Sequence, residues 1–331
     1  MKLICRQLVS TLMPAAGRRQ RGVTLVELMV ALALGLLVTV ALLKVYIDAS
    51  RMYRFNEGLA RLQENGRFAL EFIRRDARAA GFWGCNSNAT LSNVVSSTNA
   101  AFIDVAAGHI AGTQGEARAN LPDFADSISF RGGFGNGSAL TTAMSDASDS
   151  LSVASSAELT APVAMISDCE DADIFSFSKD GQTVTPSAGL SKLYKTDARV
   201  HPVRQTTYCV GDSITPNVTS LKRTTDPNIA CATGGDELIE GIENIQILYG
   251  EDTDAASDQV ANRYVAAGTS GLDVDRIVSL RISILLRSIE NNLTTTAAPY
   301  TFEGVTYTPA ANDRYLRKVF TTTITLRNRV R

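Results

Sequence analysis

The residues that could carry chemistry are few, and their spacing narrows what they could do. Histidine occurs twice, at His109 and His201, so imidazole metal sites and histidine general bases have little to work with. Asp252, Asp254 and Asp258, in the run EDTDAASD, offer oxygen ligands of the calcium type. The glycine and closing glutamate of an EF-hand are missing there, so a solvated acidic loop is the expected state. Asp168, Glu170, Asp171 and Asp173 form a second acidic cluster with the same expectation. Gly132-Gly133-Phe134-Gly135-Asn136-Gly137 is rich in glycine, but no helical pattern follows it, so it reads as a turn rather than a phosphate cradle. No G-x-S-x-G, P-loop or dinucleotide fingerprint occurs. The chain is therefore not expected to be an enzyme, and no cofactor is expected.

One carboxylate stands apart. From Val23 to Leu43 the sequence reads VTLVELMVALALGLLVTVALL, 21 residues in which Glu27 is the single charge. A carboxylate inside a membrane helix costs about 2.5–3.5 kcal/mol on insertion scales, and so usually marks a function. The run is long enough, at about 1.5 Å per residue, to cross a hydrocarbon core of about 30 Å. Arg18, Arg19 and Arg21 precede it, which keeps that end cytoplasmic and sends everything beyond Lys44 out of the cytoplasm. A secretory signal peptide would have a shorter core and a small-residue cut site after it. A twin-arginine signal and a plain membrane anchor also compete for this segment.

Charge follows the same division. The 331 residues carry 32 basic and 34 acidic side chains; the first 22 hold five of the basic ones and no acid. That leaves 27 basic against 34 acidic beyond residue 22, a net of −7, so the body is acidic and no nucleic acid is expected to bind through bulk charge.

Helical periodicity continues past the membrane run. Phe55, Leu59, Leu62, Gly66, Ala69, Ile73 and Ala77 recur at spacings of three and four, the stripe of a core-facing helix. Glu57–Arg61 and Glu71–Arg75 are acid-before-base pairs at i,i+4. Gly81 offers a left-handed stop. The expectation is one helix over 23–80, transmembrane over 23–43, with local melting at Gly58 and Gly66. A long coiled coil is the alternative, though the stripe is short for one. After Gly81 the composition shifts towards Gly, Ala, Ser, Thr and Asp, and 81–331 reads as a β-rich head. Alternation is clearest at Val278, Leu280, Ile282, Ile284 and Leu286, then at Ile245–Tyr249 and Phe320–Leu326; 127–131, 163–166 and 174–178 are further candidates. The implied architecture is α+β: a mostly antiparallel sheet with one face on the helix stripe and one face wet.

A basic leader ending in Gly22, an apolar run beginning at Val23 and a glutamate at its fifth position resemble the signal of type IV prepilins and pseudopilins. Ala80-Gly81-Phe82-Trp83-Gly84-Cys85, Ser167-Asp168-Cys169 and the segments 237–246 and 278–288 are similar to the PilW family of minor pilins. The resemblance implies a pilin fold, a leader of residues 1–22 cut between Gly22 and Val23 by a prepilin peptidase, and N-methylation of Val23. Val23 stands where that family usually has phenylalanine, which bears on methylation rather than cleavage. The resemblance further implies that Glu27 sets docking and register in a filament. Other minor pilins, a major pilin and a tip adhesin are the implied partners. The implied location is the inner membrane with a periplasmic head, then a surface pilus, with roles in priming assembly, twitching motility and adhesion. A J-type minor pseudopilin of type II secretion and a membrane-anchored periplasmic binding module remain alternatives.

With the leader gone, Cys85, Cys169, Cys209 and Cys231 remain of five cysteines. An even number outside the cytoplasm suggests two disulfides in one of three connectivities. Cys85–Cys169 and Cys209–Cys231 are favoured, the second closing a loop worth about 3 kcal/mol in a chain-entropy account. Free buried thiols are the alternative. Zinc is not expected, for want of a C-x-x-C or a nearby histidine. The basic end, Arg314, Arg317, Lys318, Arg327, Arg329 and Arg331, reads as the charged guard of an edge strand.

Overall fold

A computed structural model describes residues 22–84, 90–105, 108–115 and 125–328. The chain divides into two compact units, Met1–Tyr53 and Arg54–Arg331. One α-helix, Leu25–Ala79, passes from the first into the second. In the first unit it is uncovered: its large apolar side chains range from Ile47 at 47% exposed to Leu25 at 75%. An 18-residue window there has a mean hydropathy of 2.6. A helix meets its own backbone hydrogen bonds, so such a surface suits lipid.

In the second unit the same helix is amphipathic. Leu62, Gly66, Ala69, Ile73 and Ala77 are buried, and Phe55 and Leu59 are half-buried at the start of the stripe. The helix stays regular through Gly58 and Gly66, against the expectation of melting. Both glycines are places of close approach. A Cβ on Gly66 would lie 2.6 Å from the Phe320 ring, and one on Gly58 2.5 Å from Leu293 Cδ1. Gly81 follows the helix at φ +72°, and its N–H donates to the Arg131 carbonyl at 2.9 Å. Asn328 Nδ2 lies 3.0 Å from the Ala80 carbonyl, and also reaches those of Arg78 and Ala79, so a residue near the far end of the chain satisfies helix carbonyls. Of the expected side-chain pairs, Glu57–Arg61 forms at 2.7 Å. Glu71 instead takes Arg74, because Arg75 turns to Asp76.

Among the described residues the head holds an eleven-stranded sheet, a four-stranded sheet and a hairpin. The four-stranded sheet is antiparallel, in the order Arg263–Ala266, Ile242–Glu251, Ile277–Arg287, Arg317–Thr325. The larger sheet is organised by Arg199–Asp212, which pairs with Val163–Ser167, Ser127–Gly133 and Thr219–Thr224. Among the described residues a single parallel pair joins Thr90–Asn93 to Asp171–Asp180. The helix stripe, Ile128, Tyr208 and Leu221 of the large sheet, and Ile245, Ile282 and Ile324 of the small one share a single core cluster.

The expected wet face is largely closed over. In Ile277–Arg287 the alternate residues Ser279 and Ser283 are buried and Arg281 is exposed. Cross-strand neighbours cover them: Tyr264 Oη lies 3.0 Å from Ser279 Oγ, Ser283 Oγ 3.0 Å from Thr321 Oγ1, and the Arg281 guanidinium stacks 4.0 Å over the Tyr264 ring.

Candidate functional site

The first helical turn is built by two side chains that serve each other. Gly22, Val23 and Thr24 precede the helix, and Leu28 N makes its opening bond to Thr24 O at 3.1 Å. Glu27 N donates to Thr24 Oγ1 at 3.2 Å, and Thr24 N donates to Glu27 Oε2 at 2.9 Å. Thr24 Oγ1 donates to the same carboxylate oxygen at 3.0 Å. This is a capping box, in which a threonine at the N-cap and a glutamate three residues on satisfy otherwise orphaned N–H groups. The T-x-x-E spacing was open to a reading from sequence, which passed over it. Among the described residues no cation pairs with Glu27. A Cβ at Gly22 would meet nothing within 4 Å, so the fold itself does not require glycine there. Val23 is 71% exposed.

The cysteines lie in the second unit. Cys209 and Cys231 are bonded, with Cα atoms 6.1 Å apart. Cys169 is also disulfide-bonded, while Cys85, its expected partner, lies outside the described residues.

The acidic clusters have different surroundings from one another. Asp252, Asp254 and Asp258 bring carboxylate oxygens within 4.8 Å of one another. Asp252 is buried and organises its loop, accepting from Asp254 N at 3.1 Å, Ser257 Oγ at 2.5 Å and Gln259 N at 2.9 Å, with Arg276 at 3.8 Å. Those donors take up much of the acceptor capacity of Asp252. In the other cluster Lys192 Nζ sits 2.8 Å from Asp168, 2.7 Å from Asp171 and 3.7 Å from Glu170. The Asp168 and Asp171 carboxylates hold Lys192 well above the usual lysine range.

Of the basic end, Arg317 is paired inside the head. It reaches Glu243 at 2.7 and 3.0 Å and Asp313 at 2.8 and 2.9 Å. Arg329 and Arg331 lie outside the described residues.

Sequence reading also passed over Asp76, a buried acid on the stripe. Tyr208 Oη donates to Asp76 Oδ2 at 2.7 Å and stands 3.2 Å from the Phe72 carbonyl, with Arg75 and Arg204 at 3.6 and 3.7 Å from the carboxylate. Burial and the adjacent carboxylate push the Tyr208 hydroxyl well above its usual range. The available signal was an acid three residues after Ile73, in the phase of the buried face.

Comparison with known proteins divides along the same lines. Residues 17–43 match the family model for a prokaryotic N-terminal methylation motif, and residues 207–328 match that for Type IV Pilus-assembly protein W. No curated protein sequence matches the chain. A type IV-like pilin from Thermus thermophilus is similar over 82% of this chain and 99% of its own, at 12% identity and a TM-score of 0.34.

Proposed function

The chain belongs to the PilW family of type IV pilus minor pilins, anchored in the inner membrane and assembled with other pilins into a surface pilus, and on that premise we propose how it assembles. A prepilin peptidase removes residues 1–22 and the new amine at Val23 is methylated. Glu27 then pairs with the Val23 amine of a neighbouring subunit, which fixes its register in the filament. Its family role is to prime assembly in a tip complex of minor pilins with a large adhesin, in support of twitching motility and adhesion. The head begins after the helix, near residue 81.

The observation that carries the reading is an uncovered apolar run over 23–43 whose single charge is a carboxylate in the first helical turn, held among the described residues by Thr24 alone. An amine brought to that carboxylate in a helical bundle would satisfy two charges that are otherwise costly in lipid. The chain's family is a structural one rather than an enzymatic one.

N-terminal mass spectrometry of the native protein is expected to find N-methylvaline at Val23; a start at Met1, or anywhere else, overturns the processing step. Glu27→Ala is expected to reach the membrane at normal levels and to be lost from sheared pili. Normal incorporation of that variant sinks the pairing. Deletion of the gene separates pilus from secretion pseudopilus: loss of surface pili with intact exoprotein release supports the pilus role, and the reverse pattern supports the J-type alternative.

A further inference from the structure

The strand Arg317–Thr325 ends the four-stranded sheet, and among the described residues Ile277–Arg287 is its single partner. Two hydrogen bonds fix the phase of its backbone. Ser288 N donates to Leu316 O at 2.8 Å, and Leu326 N to Val278 O at 2.9 Å, both continuing the register of the ladder. Hydrogen-bonded pairs alternate along an antiparallel ladder. Even-numbered residues therefore face the neighbouring strand, while Val319, Thr321, Thr323 and Thr325 turn their N–H and C=O groups to the open edge.

Natural sheet edges are blunted by charge, proline, bulges or a covering segment. Here charge is confined to the ends, at Arg317, Lys318 and Arg327, and Arg317 is turned inward to Glu243. Val319–Leu326 contains no charge, proline or glycine, and its ladder to Ile277–Arg287 has no register shift. Beside the strand lies a groove of about 760 Å³ between Thr322 and the helix residues Gln63, Glu64, Arg67 and Phe68. Phe68 is 51% exposed in it. The expected charged guard is absent along the middle of the edge.

We propose that this edge accepts an extended strand from another polypeptide, and that the incoming strand is β-branched in its middle and acidic at its ends. Main-chain groups at alternate residues supply the pairing, as in other cases of strand addition. A second copy of the same strand, laid antiparallel, would set Arg317 and Lys318 against Arg327 and its neighbours, and like charges opposite one another destabilise a ladder. Acidic ends reverse that sign, while a β-branched centre matches Thr321 and Thr323 on one face and sets its alternate side chains beside Thr322, on the face of the groove that holds Phe68. The proposal extends the assembly reading and takes its place in a filament from it, yet the two fail separately. Peptide capture by the purified chain does not involve Glu27, and Glu27→Ala should capture the peptide equally.

The test uses the full-length chain in detergent micelles and a labelled peptide, Glu-Thr-Val-Thr-Ile-Thr-Val-Glu. Binding is expected to slow amide exchange at Val319, Thr321, Thr323 and Thr325, and to leave Phe320, Thr322 and Ile324 as they were. Replacing the peptide's glutamates by lysine should weaken it at least about tenfold. Thr323→Pro removes an outward N–H and leaves the inner ladder in place, so it should weaken capture by a similar factor, about tenfold, with the melting temperature near that of the parent. Absence of binding, exchange protection elsewhere, or equal capture of the lysine peptide or by folded Thr323→Pro overturns the proposal. If Thr323→Pro does not fold, the exchange pattern of the parent chain decides.

Discussion

Two carboxylates on one helix, Glu27 and Asp76, have opposite surroundings. Asp76 is buried and its partners come from its own chain: the Tyr208 hydroxyl, Arg75 and Arg204. Glu27 is exposed, and its partner is Thr24, three residues away. A charge satisfied within its own fold holds that fold together. A charge to which the described residues offer only a hydroxyl and an N–H, on a surface fit for lipid, is free for the ionic partner proposed above. The helix thus carries a structural acid in one unit and, on the proposed reading, an assembly acid in the other.

The contrast breaks most readily by truncating each acid in turn. Asp76→Ala should cost the head about 3 kcal/mol, because the buried Tyr208 hydroxyl loses its acceptor and the half-exposed Arg204 its counter-ion. Thermal unfolding of the full-length chain in micelles measures this. Glu27→Ala should leave the same transition unmoved while pili lose the subunit. Equal destabilisation by both changes would erase the distinction.

Glycines sharpen it next. Gly66→Ala drives a methyl into the Phe320 ring and should cost about 1–3 kcal/mol in the same measurement. Gly35→Ala meets open space, since a Cβ there would have no neighbour within 4 Å, and should leave head unfolding unchanged.

Acid separates the units more gently. The Asp168 carboxyl is held low: burial raises it, but Lys192 and the N–H groups of Asp171 and Glu170 outweigh that. Asp313 is also low, with burial again outweighed, here by Arg317. A depressed folded value gives stability that is present above the ordinary carboxylate range near 4 and is lost as pH falls through the folded value. Head unfolding should therefore move to lower temperature as pH drops below about 4, and less steeply in Lys192→Ala. The smallest effect is expected from Thr24→Ala, about 1 kcal/mol of local capping, read as faster amide exchange in the first helical turn with head unfolding unchanged.

Legibility followed the range of the interactions. Ile277–Arg287 could be read because apolar residues alternate along it. Arg199–Asp212, the longest strand among the described residues, could not. Its buried residues include His201, Pro202 and Thr206, so neither alternation nor an apolar run marks it, and a proline argues against a central strand. Strand existence there depends on Val163–Ser167 and Ser127–Gly133, both distant in sequence.

By itself the sequence determined the basic first 22 residues, the apolar run with Glu27, and the amphipathic stripe that follows. Each depends on local composition and on a helix that closes its own hydrogen bonds. Tertiary structure alone decided that Gly66 admits a phenyl ring, that Asp76 meets Tyr208 and two arginines, and that Arg317 turns inward and leaves a bare strand edge. Those outcomes were fixed by which distant residues the sheets bring against the helix, and no spacing along the chain encodes that.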